Sequence, residues 1–235
     1  MSKLDTLAKR PYIIARSKSW DSQLLKRLGK VTGEEFYEIT EKDALDIDFI
    51  RNINPKYIFF PHWSYHISSD IYKEFECVIF HMTDLPFGRG GSPLQNLIVR
   101  GMENTKVTAL KCVEVVDAGP IYLKTDLSLL GTAEEIYIRA SKIVENMILE
   151  ILSKAPQPKP QIGDVTLFDR RKPKDGNLKA TKNLDQIFDM IRMMDAKDYP
   201  LAFLEDDNFR LEFSRASFKG DYIDADVKIR IKKEL

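Results

Sequence analysis

The stretch YIFFPHWSYHISSDIYKEFECVIFHM, Tyr57 to Met82, decides the fold class. Its ends, YIFF and CVIFHM, are short and almost wholly apolar, and SSDIYKEF between them reads as one helix. Strands that are apolar on both faces belong in a sheet covered on both sides, and a helix joining two of them reads as a parallel crossover. The same rhythm runs back toward the start of the chain. PYIIAR (11–16) and EFYEIT (35–40) are strand-like. SWDSQLLKRLG (19–29) reads as a helix opened by Ser19 or Asp21 and ended by Gly29, and ALDIDFIRNI (44–53) as a second helix. The expectation is an α/β, Rossmann-like domain with a mainly parallel sheet. Ligands on such sheets sit at the carboxyl ends of strands. His81 lies at such an end.

Further along, SPLQNLIVRG (92–101) carries helix signals: Ser92 to cap, Pro93 at the first position, Gln95 to complete a capping box and Gly101 to stop. KVTALKCVEVV (106–116) and PIYLKTDLSL (120–129) are long strand-like runs hinged at Asp117-Ala118-Gly119. Thr132 and Glu135 form a second capping box, and Ile136, Ala140, Ile143, Met147, Ile148 and Ile151 share one helical face. APQPKPQ (155–161), with its alternating prolines, reads as a stiff linker. The expected organisation is a domain over 1–155, a linker over 156–162 and a small α+β unit over 163–235. In that unit, Leu184 to Met194 is an amphipathic helix. Phe209, Leu211 and Phe213 alternate, as do Ile223 to Ile231, which predicts an antiparallel hairpin with one buried face.

Composition bounds the chemistry. The 235 residues hold 36 Lys plus Arg and 36 Asp plus Glu. Nucleic-acid binding by phosphate neutralisation calls for a basic excess, so no nucleic-acid partner is expected. No apolar run approaches the roughly 20 residues of a membrane span, and no signal-like stretch precedes PYIIAR, so a cytoplasmic protein with no membrane association is expected. Cys77 and Cys112 sit in apolar runs and read as buried free thiols. His62 and His66 are four apart but lie in a loop entering a helix, and no metal-ligand spacing appears.

Two features single out a site. The loop MTDLPFGRGG after His81 is rich in residues with special backbone freedom, as site loops are. Its glycines are not a GxGxxG or GK[ST] fingerprint, so a dinucleotide or triphosphate cradle is not expected. Asp117, in a turn that opens a later strand, is placed to orient an imidazole.

These residues resemble the signature of folate-dependent formyltransferases. The resemblance is carried by His81, Thr83, Leu85, Pro86, Arg89, Gly90, Pro93 and Gln95, by Asp117 in KVTALKCVEVVDAGPIYL, and by FFPHWSYHISSDIY, which is similar to the segment lining the folate pocket. It covers roughly residues 57–155. Beyond it, Arg170, Arg171, Pro173, Asp175, Gly176, Arg192, Tyr199, Pro200, Ala202 and Phe203 resemble the sugar N-formyltransferase branch. Within that branch the chain looks most like the type acting on UDP-4-amino-4,6-dideoxy-N-acetyl-altrosamine, a pseudaminic-acid-pathway sugar. The family pattern has an asparagine two residues before the histidine, and here that position is Ile79.

The resemblance implies formyl transfer from N10-formyltetrahydrofolate to a nucleotide-linked amino sugar, the nucleotide being UDP. It implies that His81 moves the proton and contacts the oxyanion, that Asp117 orients it, and that Thr83 or a loop amide supplies part of what the asparagine would. Trp63, Tyr65, His66, Ile67, Val116 and Asp117 would line the pterin. Arg89, Gly90, Arg170 and Arg171 would face the diphosphate. It further implies a homodimer. Two alternatives remain open: a methionyl-tRNA formyltransferase-like enzyme, which calls for a larger basic C-terminal domain, and a non-catalytic nucleotide-sugar or folate-binding module, because Ile79 cannot donate a hydrogen bond.

Overall fold

The structure, a computed structural model, describes residues 10–18, 20 and 22–232. Its main sheet has six strands: β1 (Tyr12–Ala15), β2 (Phe36–Ile39), β3 (Tyr57–Phe60), β4 (Cys77–His81), β6 (Asn104–Lys111) and β7 (Ile121–Ser128), in the order β2-β1-β3-β4-β6-β7. β1 pairs in parallel with β2 and with β3, and β3 in parallel with β4. All four residues of β1 are buried, as the apolar runs require. The chain leaves β1 to one side for β2 and returns on the other for β3, so the strand order reverses there. The expected α/β, mainly parallel architecture is the one observed.

Two compact units divide the chain. The first comprises residues up to 81, 109–123 and 141–161; the second comprises 82–108, 124–140 and 162–235. In the first, Ile13, Ala15, Ile58, Phe60 and Cys77 meet Ile39, Ile50, Ile67, Ile71, Phe75 and Cys112 in one core. Helix α1 (Leu24–Thr32) runs past Gly29 and stops at Gly33, whose φ of 68° is the left-handed stop that Gly29 does not provide. Ser19 and Asp21 lie outside the described residues. Helix α2 is shorter than expected, Ile47–Ile53, because the Asp46 carboxylate accepts hydrogen bonds from the Asp48 and Phe49 amides and starts the helix there. Helix α3 (Ser69–Glu74) is the crossover between β3 and β4. β6 ends at Lys111 rather than at residue 116, leaving Val115 and Val116 exposed on a turn.

In the second unit, α4 (Pro93–Ile98) lacks the expected Ser92–Gln95 capping box. Ser92 is left-handed, with φ 48°, and its Oγ accepts from the Arg171 amide at 3.0 Å. The Gln95 amide instead donates to the Tyr137 hydroxyl and to the Met193 carbonyl, both at 3.2 Å. The Thr132–Glu135 box does form, the Thr132 amide donating to Glu135 Oε2 at 2.8 Å at the start of α5 (Ala133–Lys154). Helix α6 (Leu184–Met194), capped by Asn183, packs on an antiparallel sheet ordered β11-β10-β9, with β9 at Ala202–Glu205, β10 at Phe209–Phe218 and β11 at Ile223–Ile231.

The hairpin differs from expectation in one respect. Its apolar residues do face each other, Phe209 with Ile231, Leu211 with Ile229 and Phe213 with Val227. Yet Val227, Ile229 and Ile231 are 47%, 67% and 78% exposed. A helix of this length spans about 16 Å, roughly half the reach of strands this long, so one helix leaves the far part of that face open.

Helices α1 and α5 are tied by an ion pair. Arg27, partly exposed, forks onto buried Glu145, with Nη2 2.7 Å and Nε 3.1 Å from Oε2, and Lys142 adds a contact at 2.9 Å. The Arg27 hydrogen bond holds the Glu145 carboxyl below its ordinary value. A depressed carboxylate contributes stability above its unfolded pKa and loses it as pH falls through the folded one. Arg27→Met is therefore expected to cost about 1–2 kcal/mol at pH 7, with wild type and variant converging in acid. Urea unfolding at pH 7 and pH 3 checks this; a gap that stays constant with pH contradicts it.

Candidate active site

In the first unit, His81 is the last residue of β4, and its Nδ1 lies 3.5 Å from Asp117 Oδ2, each side chain 8% exposed. The sequence places them 36 positions apart, and the sheet order explains the meeting: β4 and β6 are neighbours, and Asp117 sits in the turn after β6. That turn is tightly specified. Asp117 has a left-handed φ of 54°. A Cβ on Gly119 would lie 1.8 Å from the Lys111 carbonyl oxygen, so only glycine fits. The Gln161 side-chain amide donates to the Asp117 carbonyl at 2.7 Å and to the Gly119 carbonyl at 2.8 Å.

Gln161 is a residue that sequence reasoning missed, because it falls in the Pro-rich stretch. That stretch does not hang free. Lys159 and Ile121 exchange backbone hydrogen bonds at 2.7 and 2.8 Å, which brings Gln161 to the turn. No local pattern announces such a contact; an amide side chain just past a proline run is the only signal, and it is weak.

β3 and β4 are in register, Phe60 opposite Ile79. Ile79 is half-buried and packs on the core cluster, as does Trp63. The Trp63 ring stands edge-on to Phe60 at 6.0 Å and to Tyr65 at 5.2 Å. Its indole N–H is buried with no hydrogen-bond acceptor, the kind of orphan that calls for an explanation. Tyr65 and His66 are exposed, Ile67 is buried in the core, and Val116 is exposed on the Asp117 turn.

His62 makes no pair with His66. Its Nε2 is 3.0 Å from Ser141 Oγ, and burial, with Arg16 adding to it, lowers the imidazole to about 4, so it is neutral at pH 7. Cys77 and Cys112 are free and buried, and burial pushes the Cys112 thiol up to about 11 and Cys77 higher still. Among the described residues no cluster of three or more His, Cys, Asp or Glu side chains is placed to hold a metal. A cavity of about 500 Å³ lined by Tyr12, Val31, Thr32, Glu34 and Lys154 lies at the amino end of β1, away from His81.

In the second unit, Thr83 is fully buried. Its Oγ1 donates to the Gly88 carbonyl at 3.4 Å, and its carbonyl accepts from Thr108 Oγ1 at 2.7 Å. The glycine loop approaches its own chain. β5 (Arg89–Gly90) pairs in parallel with β8 (Leu167–Phe168), and a Cβ on Gly90 would stand 2.5 Å from the Phe168 carbonyl oxygen. Arg89 is half-buried and Arg170 exposed; Arg171 is half-buried, its Nη2 donating to the Asp175 carbonyl at 3.1 Å.

Comparison with known proteins identifies the family. A solved structure titled methionyl-tRNA formyltransferase, from Clostridium thermocellum, is 49% identical, covers 95% of this chain and 100% of its own, and superposes with a TM-score of 0.92. The chain belongs to the formyltransferase family. A family model described as the methionyl-tRNA formyltransferase C-terminal domain matches residues 173–230 of this formyltransferase. A curated methionyl-tRNA formyltransferase of Thermodesulfovibrio yellowstonii is 26% identical over 178 residues, 72% of this chain and 58% of that protein. The chain thus spans little more than half the length of that relative. A formyltransferase of Anoxybacillus kamchatkensis, solved with UDP-4,6-dideoxy-4-formamido-L-AltNAc and tetrahydrofolate, shares the fold at 18% identity and a TM-score of 0.55, covering 67% of this chain and 85% of its own. Among the described residues no helix is long and apolar enough to cross a membrane.

The Asp117 turn predicts a sharp mutational response. Gly119→Ala is expected to cost about 3 kcal/mol or more, since the clash is with backbone rather than with a movable side chain. Thermal melts check it, and a variant melting within a degree of wild type would show that the turn tolerates a Cβ.

Proposed function

We propose that this formyltransferase moves a formyl group from N10-formyltetrahydrofolate to a primary amine, with His81 and Asp117 handling the proton. The observation that carries this is the buried His81–Asp117 pair at the end of β4. An attacking amine must shed a proton as it becomes an amide, and an imidazole is the side chain suited to that near neutral pH. His81 accepts the proton through Nε2, the nitrogen turned away from Asp117. Asp117 fixes the ring and stabilises the imidazolium as the proton arrives. Gln161 and Gly119 hold Asp117 in place.

The folate supplies the formyl group in activated form. The residues present fit it: Trp63 carries a buried indole N–H with no acceptor, Tyr65 offers an exposed ring beside it, and a pterin is flat with hydrogen-bonding edges. Val116, next to Asp117, is exposed and can cover one face. Ile67 serves as a core anchor for that loop rather than as a contact. Thr83 braces the loop behind His81.

For the acceptor, the amino group of methionyl-tRNA is favoured over the nucleotide-linked sugar that the motifs alone suggest. The support is the 49% identity to the protein of that title over its whole length, together with the matched C-terminal family model. Residues 170–182 hold six cations, from Arg170 to Lys182, against the single acid Asp175. Such a segment suits a phosphodiester backbone as well as a diphosphate. A UDP-linked amino sugar is the second acceptor, favoured by the even balance of 36 basic and 36 acidic residues, which gives little long-range attraction to RNA.

Incubation with N10-formyltetrahydrofolate and either methionyl-tRNA or a panel of UDP-linked amino sugars separates these readings. Formyl-methionyl-tRNA without formylated sugar is the expected outcome. Formylated sugar alone replaces the acceptor and keeps the chemistry, whereas binding of both without product returns the chain to a binding module. His81→Asn and Asp117→Asn are each expected to lower kcat by about 10²–10⁴, and wild-type turnover in either removes the pair from the mechanism. Ile79→Asn, which restores a donor at the strand end, is expected to raise kcat about tenfold or more; no gain would mean that oxyanion stabilisation is already complete without it.

A further inference from the structure

The cavity of about 500 Å³ at the amino end of β1 takes no part in the proposed formyl transfer, yet it has the build of a ligand site. Its volume falls in the range of pockets that hold small organic molecules, about 300–1,000 Å³. Every residue that lines it belongs to the first unit. Two helices end at it. Val31 and Thr32 come from the last turn of α1, and Leu149, Leu152 and Ser153 from the last two turns of α5. The Arg27–Glu145 ion pair explains why the two ends arrive together. It joins the helices one turn before Val31 on α1 and one turn before Leu149 on α5, so both run from that tie toward the cavity.

The walls divide by chemistry. Val31 is exposed and Leu149 and Leu152 are half-buried, which leaves an apolar surface open to solvent. Tyr12 forms a buried aromatic wall, backed by the Phe36 ring at 5.2 Å and the Tyr57 ring at 6.4 Å. The polar lining is negative. The carboxylates of Glu34 and Glu150 stand against one cation, Lys154, and Glu150 already holds it at 2.9 Å. Both helices also turn their carboxyl ends here, each followed by a left-handed residue, Gly33 with φ 68° and Ala155 with φ 42°. The last carbonyls of a helix carry a partial negative charge. Two such ends beside two carboxylates repel an anion and attract a cation. The carboxylate-bearing folate and any phosphate ligand are unsuited to this cavity, so its ligand chemistry differs from that of the His81 site.

We propose that this cavity binds a small organic cation, an ammonium group carried on an aliphatic or aryl body. The body lies along Val31, Leu149, Leu152 and Tyr12. The ammonium, with three N–H donors and no acceptor, donates to the Glu34 and Glu150 carboxylates and to carbonyls at the helix ends. Charge complementarity selects the amine over an acid of the same shape. The apolar walls select an amine with a body over a metal ion or free ammonium, which would leave them wet. A ligand so placed bridges α1 and α5 and stabilises the folded chain by mass action.

Calorimetric titration of the 235-residue chain with 4-phenylbutylamine tests this, with 4-phenylbutanol and 4-phenylbutyrate as its neutral and anionic counterparts. The amine is expected to bind about tenfold more tightly than the alcohol, and the acid is expected not to bind. The double variant Glu34→Gln, Glu150→Gln should weaken the amine about fivefold or more and leave the alcohol unchanged. Val31→Arg sets a fixed cation at the mouth of the cavity and should abolish amine binding. Because Val31 is exposed, the melting curve of that variant should match wild type; if it falls, the double variant decides alone. No binding of the amine, equal affinity for amine and acid, or wild-type amine affinity in the double variant overturns the proposal.

Discussion

The structure turns on a carboxylate and an imidazole that are almost out of water. Asp117 and His81 are each 8% exposed and 3.5 Å apart. Burying ionisable groups is unfavourable unless they are paired and their surroundings are held still. Much of the first unit serves that requirement. The parallel strands carry His81 to a sheet end on the apolar, in-register ladders of β1, β3 and β4. The turn after β6 takes a left-handed residue, a glycine with no room for a Cβ, and a glutamine from beyond the proline run. Asp117 is itself that left-handed residue, and the glycine and the glutamine act on its backbone. Together they restrict where the Asp117 carboxylate can stand beside His81.

The α/β class and the placing of His81 and Asp117 at strand-end turns were legible because apolar period and turn chemistry are local signals. YIFF and CVIFHM could only be buried strands, and DAG could only be a turn. What was not legible depends on distant partners. Ser92 and Gln95 have the spacing of a capping box, but Arg171, Tyr137 and Met193 offer them better-buried partners, and tertiary bonds displace the local motif. Gln161 reads as linker until Lys159 pairs with Ile121. The KVTALKCVEVV run reads as one strand, yet β6 stops at Lys111 because the Lys111 carbonyl must lie against Gly119.

The glycine loop is held by its own chain. GRGG does demand close approach, and the partner is backbone of the same chain, Phe168 beyond Gly90 and Arg170 beyond Gly91. The glycines therefore fasten a two-stranded ladder between β5 and β8. In doing so they fix where Arg170 and Arg171 leave the backbone, so their effect on any phosphate ligand is indirect. The hairpin presents the reverse case. Its alternation is real, but period alone says which residues share a face and not what covers that face; α6 is too short to cover it all.

Ile79 is where folding and chemistry pull in different directions. It lies opposite Phe60 in the β3–β4 register and packs, with Trp63, on the core of the first unit. An aliphatic side chain there strengthens the end of β4 and helps exclude water from His81, which makes each remaining electrostatic contact stronger. It also removes a side-chain donor from the face that His81 occupies. An asparagine there would meet the same apolar wall and would need its own acceptor and donor to be satisfied whenever substrate is absent. The buried, acceptor-less Trp63 N–H belongs to the same core. This strand end therefore favours dryness over donors, and in the mechanism we propose the proton chemistry falls to His81 and Asp117.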